Sequence, residues 1–234
     1  MFNEKKGGRM PNNIQNRLRV EGNSEKVNAL MDLIRGKKER IDFNKIIPMP
    51  DIMQDFEPHS GIVTAIKKKY NTPINSNWLI ARLEMKNREK QSLEFEGKEK
   101  EQFDLGCKIF KETGFVYWCD WAIEKWGTKW NAYSTPDKRD TGDIIYFETA
   151  WSGIPDLIKK LSSMFPELEM FYEWADEDTG CNTGKCIVRA GELWIDKPEN
   201  ESREAYDLAF DLRPEDKKNY FWDGQEYQYK DEEN

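Results

Sequence analysis

From residue 12 the chain alternates. In "NNIQNRLRVEG" Ile14, Leu18 and Val20 share one side with Asn16, and Gln15, Arg17, Arg19 and Glu21 take the other. That is the period of a half-buried strand. Asn23 or Ser24 can cap the helix that follows, where Val27, Leu30, Met31 and Ile34 recur at helical spacing and Gly36 ends the run. A strand–helix unit is therefore predicted at about residues 13–36. The next stretch, 41–58, carries "IDFNKIIPMPDI", whose Pro48 and Pro50 predict an extended connector. From about 59 to 125 apolar residues return at helical spacing in "SGIVTAIKKKY", "SNWLIARLEMKNR", "KEQFDLGCKIFKETG" and "YWCDWAIEKWG". Residues 86–101 between them are mostly solvated charge.

After Gly127 the period changes again. "KWNAYST" and "DIIYFETAW" read as two strands joined by the turn-rich "PDKRDTG". "GIPDLIKKLSSMFP" is amphipathic, with Ile154, Leu157, Ile158, Leu161 and Phe165 on one face. "LEMFYEWAD" and "KCIVRAGELWI" flank "EDTGCNTG" as a strand–turn–strand pair, and a helix with a polar aromatic end closes the chain.

With the helical excursion removed, the core elements read βαββαβ plus one strand. A crossover needs only about 10–12 residues, so the excursion must be an insertion. The predicted fold is α+β, a ferredoxin-like (split βαβ) antiparallel sheet with an inserted helical subdomain. Its core takes residues 11–36 and 127–197, the mostly helical insertion 37–126, and a C-terminal extension 198–234.

Composition narrows the function. Among 234 residues, 44 acidic and 36 basic give a net charge of −8, which argues against coating duplex DNA. The opening "MFNEKKGGRM" is charged with no apolar run behind it, unlike a secretory signal, and no stretch approaches the roughly 20 apolar residues of a membrane helix. A cytoplasmic protein with no membrane partner is expected, its four cysteines reduced.

Candidate chemistry is sparse. Trp118, Trp121, Trp126 and Trp130 lie close together, and Trp151 follows the next strand. They can form a hydrophobic hinge between insertion and sheet, as aromatic clusters commonly do. The functional alternative is a binding platform of Trp126, Trp130, Trp151 and Tyr146 with Lys129 and Asn131 as polar anchors, able to stack a base. Tyr133 and Arg19 could extend such a face, as aromatic and basic residues do on RNA-binding sheets.

"DTG" occurs at 140–142 and 178–180, but both triplets follow charged residues and sit where turns are expected, not where a carboxylate pair would be desolvated. "CNTGKC" (181–186) lacks zinc-site spacing, Cys107 and Cys119 stand apart, and Asp176, Glu177 and Asp178 form an acidic run rather than a defined magnesium site. His59 is the one histidine, and neither a nucleophile elbow nor a phosphate loop is present. The expectation is a protein without catalysis, metal or cofactor.

Taken in order, "NNIQNRLRVEG", "FNKIIPMP", "WGTKWNA" and "FETAWSGIPDLIKKLSSMFPELEM" resemble the YubB-like proteins, phage and plasmid proteins with a ferredoxin-like domain. The resemblance implies architecture and genomic context, with no catalytic residues to carry over. It implies an accessory protein of a mobile element that binds a host protein or ribonucleoprotein. The concrete form is inhibition of a host defence system such as a CRISPR nuclease through protein–protein contacts. A nucleic-acid or nucleotide module using an aromatic sheet face, and a metal-dependent enzyme, are the alternatives.

Overall fold

The computed structural model describes residues 12–54, 56–71 and 95–230. The chain divides into two compact units. One runs up to Ile47 and resumes at Trp126; the other is residues 48–125. The predicted helix at "SNWLIARLEMKNR" lies outside the described residues.

In the first unit, β1 (Asn13–Glu21) leads into α1 (Ser24–Ile34), whose N-terminal amides of Glu25 and Lys26 donate to the Asn23 side chain. Beyond the insertion come β2 (Ile144–Ala150), α5 (Pro155–Met164), β3 (Glu169–Asp176), β4 (Gly184–Arg189), β5 (Glu192–Asp196) and α6 (Arg203–Leu212). A short hairpin of β6 (Tyr220–Trp222) and β7 (Tyr227–Tyr229) follows. β1–β5 form an antiparallel sheet in the order β2-β1-β3-β4-β5. The first strand of the sequence is thus the one threaded between β2 and β3, which α5 joins by a crossover: a split βαβ.

The predicted strand over "KWNAYST" does not form; its trace is one bridge, Tyr133 with Glu148 on the outer edge of β2. Its polar side chains explain this. Asn131 turns its amide to other backbone groups, and Ser134 takes a left-handed φ of 53°. Counting that bridge as a vestigial strand restores the ferredoxin-like arrangement, β3-β1-β2-Tyr133, with β4 and β5 added beyond β3. The segment "KCIVRAGELWI" is a hairpin rather than a single strand, because Ala190 and Gly191 both have positive φ, 50° and 79°, which makes a two-residue type I′ turn. Residues 41–58 likewise depart from an extended connector, holding short 3₁₀ turns at Phe43–Lys45 and Asp51–Met53.

Even-numbered residues of β1 and β3 point to the α5 side, where Leu18, Met170, Tyr172, Leu157, Ile158 and Leu161 are buried. Asn16 is buried among them and fully engaged. Its Nδ2 donates to Thr149 Oγ1 (3.0 Å) and to the Ile14 carbonyl (2.8 Å), while its Oδ1 accepts from Tyr172 Oη (2.5 Å). Tyr172 Oη accepts in turn from the Ile154 amide at 2.7 Å. The opposite side of the sheet is covered in part by α6, whose Ala209 and Leu212 pack with Tyr146 and Ala175.

In the second unit α2 (Ser60–Tyr70) packs on α3 (Gly97–Thr113); α4 (Trp118–Trp126) ends at Trp126, the residue at which the first unit resumes. Gly106 is the close-approach point. A Cβ there would stand 2.3 Å from Ile66 Cδ1 and 2.5 Å from Phe56 Cζ. Lys67 is buried and pairs with Asp120 at 2.9 Å.

Candidate functional site

The pleat that sends Leu18 and Tyr172 inward sends Arg17, Arg19, Phe171 and Glu173 to the other side. Register then arranges these outward residues in rows across the sheet. One row reads Ile144, Arg19, Phe171, Ile187, Trp194 from β2 to β5. The next reads Tyr146, Arg17, Glu173, Lys185, Asp196. Together they line a shallow concavity of about 670 Å³, within the usual size range of binding sites.

The first row is apolar with one cation. The Arg19 guanidinium lies 4.0 Å from the centre of the Phe171 ring, while Ile187 is 42% exposed and Trp194 59%. The second row is charged and internally compensated: Arg17 donates to Glu173 and to Asp211 of α6, and Lys185 pairs with Asp196 at 3.4 Å. Arg19 also pairs with Glu21, and Arg189 stands opposite Glu192. Every cation of this face therefore has a carboxylate beside or across from it.

The six residues singled out from the sequence have different surroundings. Trp126 is core: its indole N–H donates to the Ile47 carbonyl at 2.9 Å, and its ring meets Phe43 edge-on. Asn131 is a clamp, its Oδ1 accepting from the Phe43 and Ala132 amides and its Nδ2 donating to Asp42. Tyr146 is buried under the Arg139 guanidinium, 4.0 Å from its ring centre, and against α6. Lys129, Trp130 and Trp151 are brought together, with Lys129 Nζ 4.7 Å and 5.3 Å from the two ring centres. Phe171, Ile187 and Trp194 are absent from the sequence candidates, and their signal there is only that each is a large apolar residue on the outward phase of its strand.

The remaining candidates have structural uses. Asp140 accepts from the Tyr146 and Asp137 amides. Asp176 is buried and accepts from Asn12, Asn182 and the Asp178 amide, which ties a turn together. His59 caps α2, its Nδ1 accepting from the Gly61 amide. The four cysteines are unbridged, and burial pushes the Cys186 thiol up to about 12. Among the described residues no group of three or more His, Cys, Asp or Glu is placed to hold a metal ion, and no helix is long and apolar enough to cross a membrane.

A family model described as "Ferredoxin-like domain in Api92-like protein" matches residues 129–223, less than half of the chain. Among solved structures the chain is similar to the protein api92 from Yersinia pseudotuberculosis, at 12% identity and a TM-score of 0.40, covering 81% of this chain and 99% of that one. No curated protein matches.

Proposed function

We propose that this ferredoxin-like protein is a non-catalytic binding module whose open sheet face engages another protein. The observation that supports this is the row Arg19, Phe171, Ile187, Trp194. Aromatic rings and arginine, with a large aliphatic between them, are the residues that dominate protein interfaces.

Charge favours protein over nucleic acid as the partner. Binding a polyanion rests on cations left over for phosphate. On this face Arg17, Arg19 and Lys185 are already paired with carboxylates, and the whole chain carries −8. A base could stack on Trp194, but little positive field would hold its backbone. The resemblance to phage and plasmid proteins supports a host defence component, such as a CRISPR nuclease, as the protein bound, in the host cytoplasm.

The test uses the full-length protein as bait in nuclease-treated host lysate, with Ile187→Glu as the matched control. Ile187 is exposed in the middle of the row, so the substitution alters the face without opening the core. A partner retained by wild type and lost from Ile187→Glu is expected. Equal retention by both, or none by either, overturns the reading. So does quenching of tryptophan fluorescence by a single-stranded oligonucleotide at low salt.

A further inference from the structure

The two edges of the sheet are treated differently. On the outer side of β2, Tyr133 and Glu148 exchange both backbone hydrogen bonds, at 3.1 Å and 2.9 Å, so that edge is occupied. β5 is the last strand on the other side. It holds neither proline nor lysine, which commonly blunt an exposed edge, and its charges stand only at the two ends of Glu-Leu-Trp-Ile-Asp. Trp194 and Ile195 are both exposed, at 59% and 45%.

The hairpin turn fixes which β5 backbone groups face outward. In a two-residue turn the flanking pair, here Arg189 and Glu192, exchanges hydrogen bonds, and bonded and non-bonded pairs alternate from there. Trp194 and Asp196 therefore bond to β4. Leu193 and Ile195 aim their N–H and C=O away from the sheet.

That spacing is self-complementary. In an antiparallel pairing of two β5 strands, Leu193 of one copy faces Ile195 of the other and the reverse, giving about four backbone hydrogen bonds. Trp194 then meets Trp194 on the symmetry axis. Because that central pair is a non-hydrogen-bonded one, its side chains approach closely, the geometry in which cross-strand aromatic pairs interact best.

We propose that the protein self-associates through β5, two sheets joining antiparallel about Trp194 into one continuous ten-stranded sheet. Charge opposes this register only weakly. Glu192 comes opposite Asp196 of the second copy, but Asp196 is paired with Lys185, and Arg189 stands across from Glu192. The row runs cation, carboxylate, carboxylate, cation in solvent, where such repulsion is weak and screened. On the α5 side, exposed Ile195 gains Leu193 of the partner as a neighbour. The pairing uses the strand edge and leaves the outward face open, so the row from Arg19 to Trp194 continues into its twin. The inference is independent of what binds that face.

Sedimentation equilibrium on the full-length protein, from low to high micromolar, tests it. The expected result is a mass of twice 27.7 kDa for wild type, and a monomer with an unchanged circular dichroism spectrum for Trp194→Lys and Ile195→Lys. A wild type that stays monomeric throughout overturns the proposal, including one that instead captures an extended peptide of another protein. A dimer that survives both substitutions places the interface elsewhere and also overturns it. Trp194→Cys gives an answer that does not depend on the lysine variants folding. Mild oxidation should crosslink it across the axis into a reducible dimer joined at position 194, whereas Ile187→Cys, one strand further in, should not crosslink. Failure of the Trp194→Cys dimer to form rejects this register.

Discussion

Asn16 is fully buried on an apolar phase of β1, yet its amide has hydrogen-bond partners on both sides, Tyr172 among them. Burial holds the Tyr172 phenol well above its ordinary pKa, so it stays a donor to Asn16 across the accessible pH range. Tyr172→Phe should cost about 1–3 kcal/mol, the usual penalty for stranding buried polar atoms, because it strips a partner from both Asn16 Oδ1 and the Ile154 amide; a lowered urea midpoint measures it. Tyr172→Phe combined with Asn16→Leu should recover part of that loss, since the stranded Asn16 Oδ1 is then gone and the Ile154 amide alone lacks its partner. Asp137 behaves differently. Its carboxylate accepts from Arg139 Nε and Nη2 at 2.9 Å and 2.8 Å, and the arginine holds it below its ordinary value of 3.8. A depressed folded pKa means the stabilisation is complete above about pH 4 and disappears as pH falls through the folded value. Arg139 also donates to the Leu212 carbonyl at the end of α6, so acid should loosen α6 first. Asp137→Asn should flatten the acid limb of a pH–stability curve while changing little of its shape above pH 5.

At the scale of elements, the sequence is legible where one helix or strand decides its own periodicity. β1, α1, α5 and α6 each show an apolar phase that survives in the fold. What was illegible depends on partners far along the chain. The row Arg19, Phe171, Ile187, Trp194 draws on four strands, and nothing within any one strand marks its outward apolar residue as part of a line. The tryptophans near 126 stand out in the sequence through local density, yet Trp126 is used to fill the core. The β4–β5 turn is illegible in the sequence because Ala-Gly is a poor turn signal compared with Asn-Gly. That is itself testable. Ala190 sits at φ 50°, where a Cβ is disfavoured and asparagine is tolerated best among side-chain-bearing residues. Ala190→Asn should stabilise the hairpin by about 0.5–1 kcal/mol, read as a rise in the midpoint of sheet unfolding. A fall would mean the turn is not of this type.

For the whole molecule, the question is whether the sheet needs the insertion that interrupts it. The sheet unit's own contacts at the break argue that it does not. Trp126 donates to the Ile47 carbonyl at 2.9 Å and meets Phe43 edge-on, so the two chain ends left by removing residues 48–125 are already held together within that unit. Phe43 is buried between Trp126 and Phe147, and Asn131 ties the same segment to the loop before β2 through the Phe43 amide and Asp42. Closing a gap between ends so placed needs only a short flexible linker, and loop-closure entropy grows slowly with length, so shortening the loop costs little. Replacing 48–125 by a few glycines and serines should therefore leave a protein that unfolds cooperatively, with the amide-exchange protection of β1 and β3 retained. The central place of β1, paired on both sides by β2 and β3, makes that protection the sensitive readout: if the sheet depended on the insertion, β1 would lose protection together with its neighbours, and the division into two separately folding units would fail.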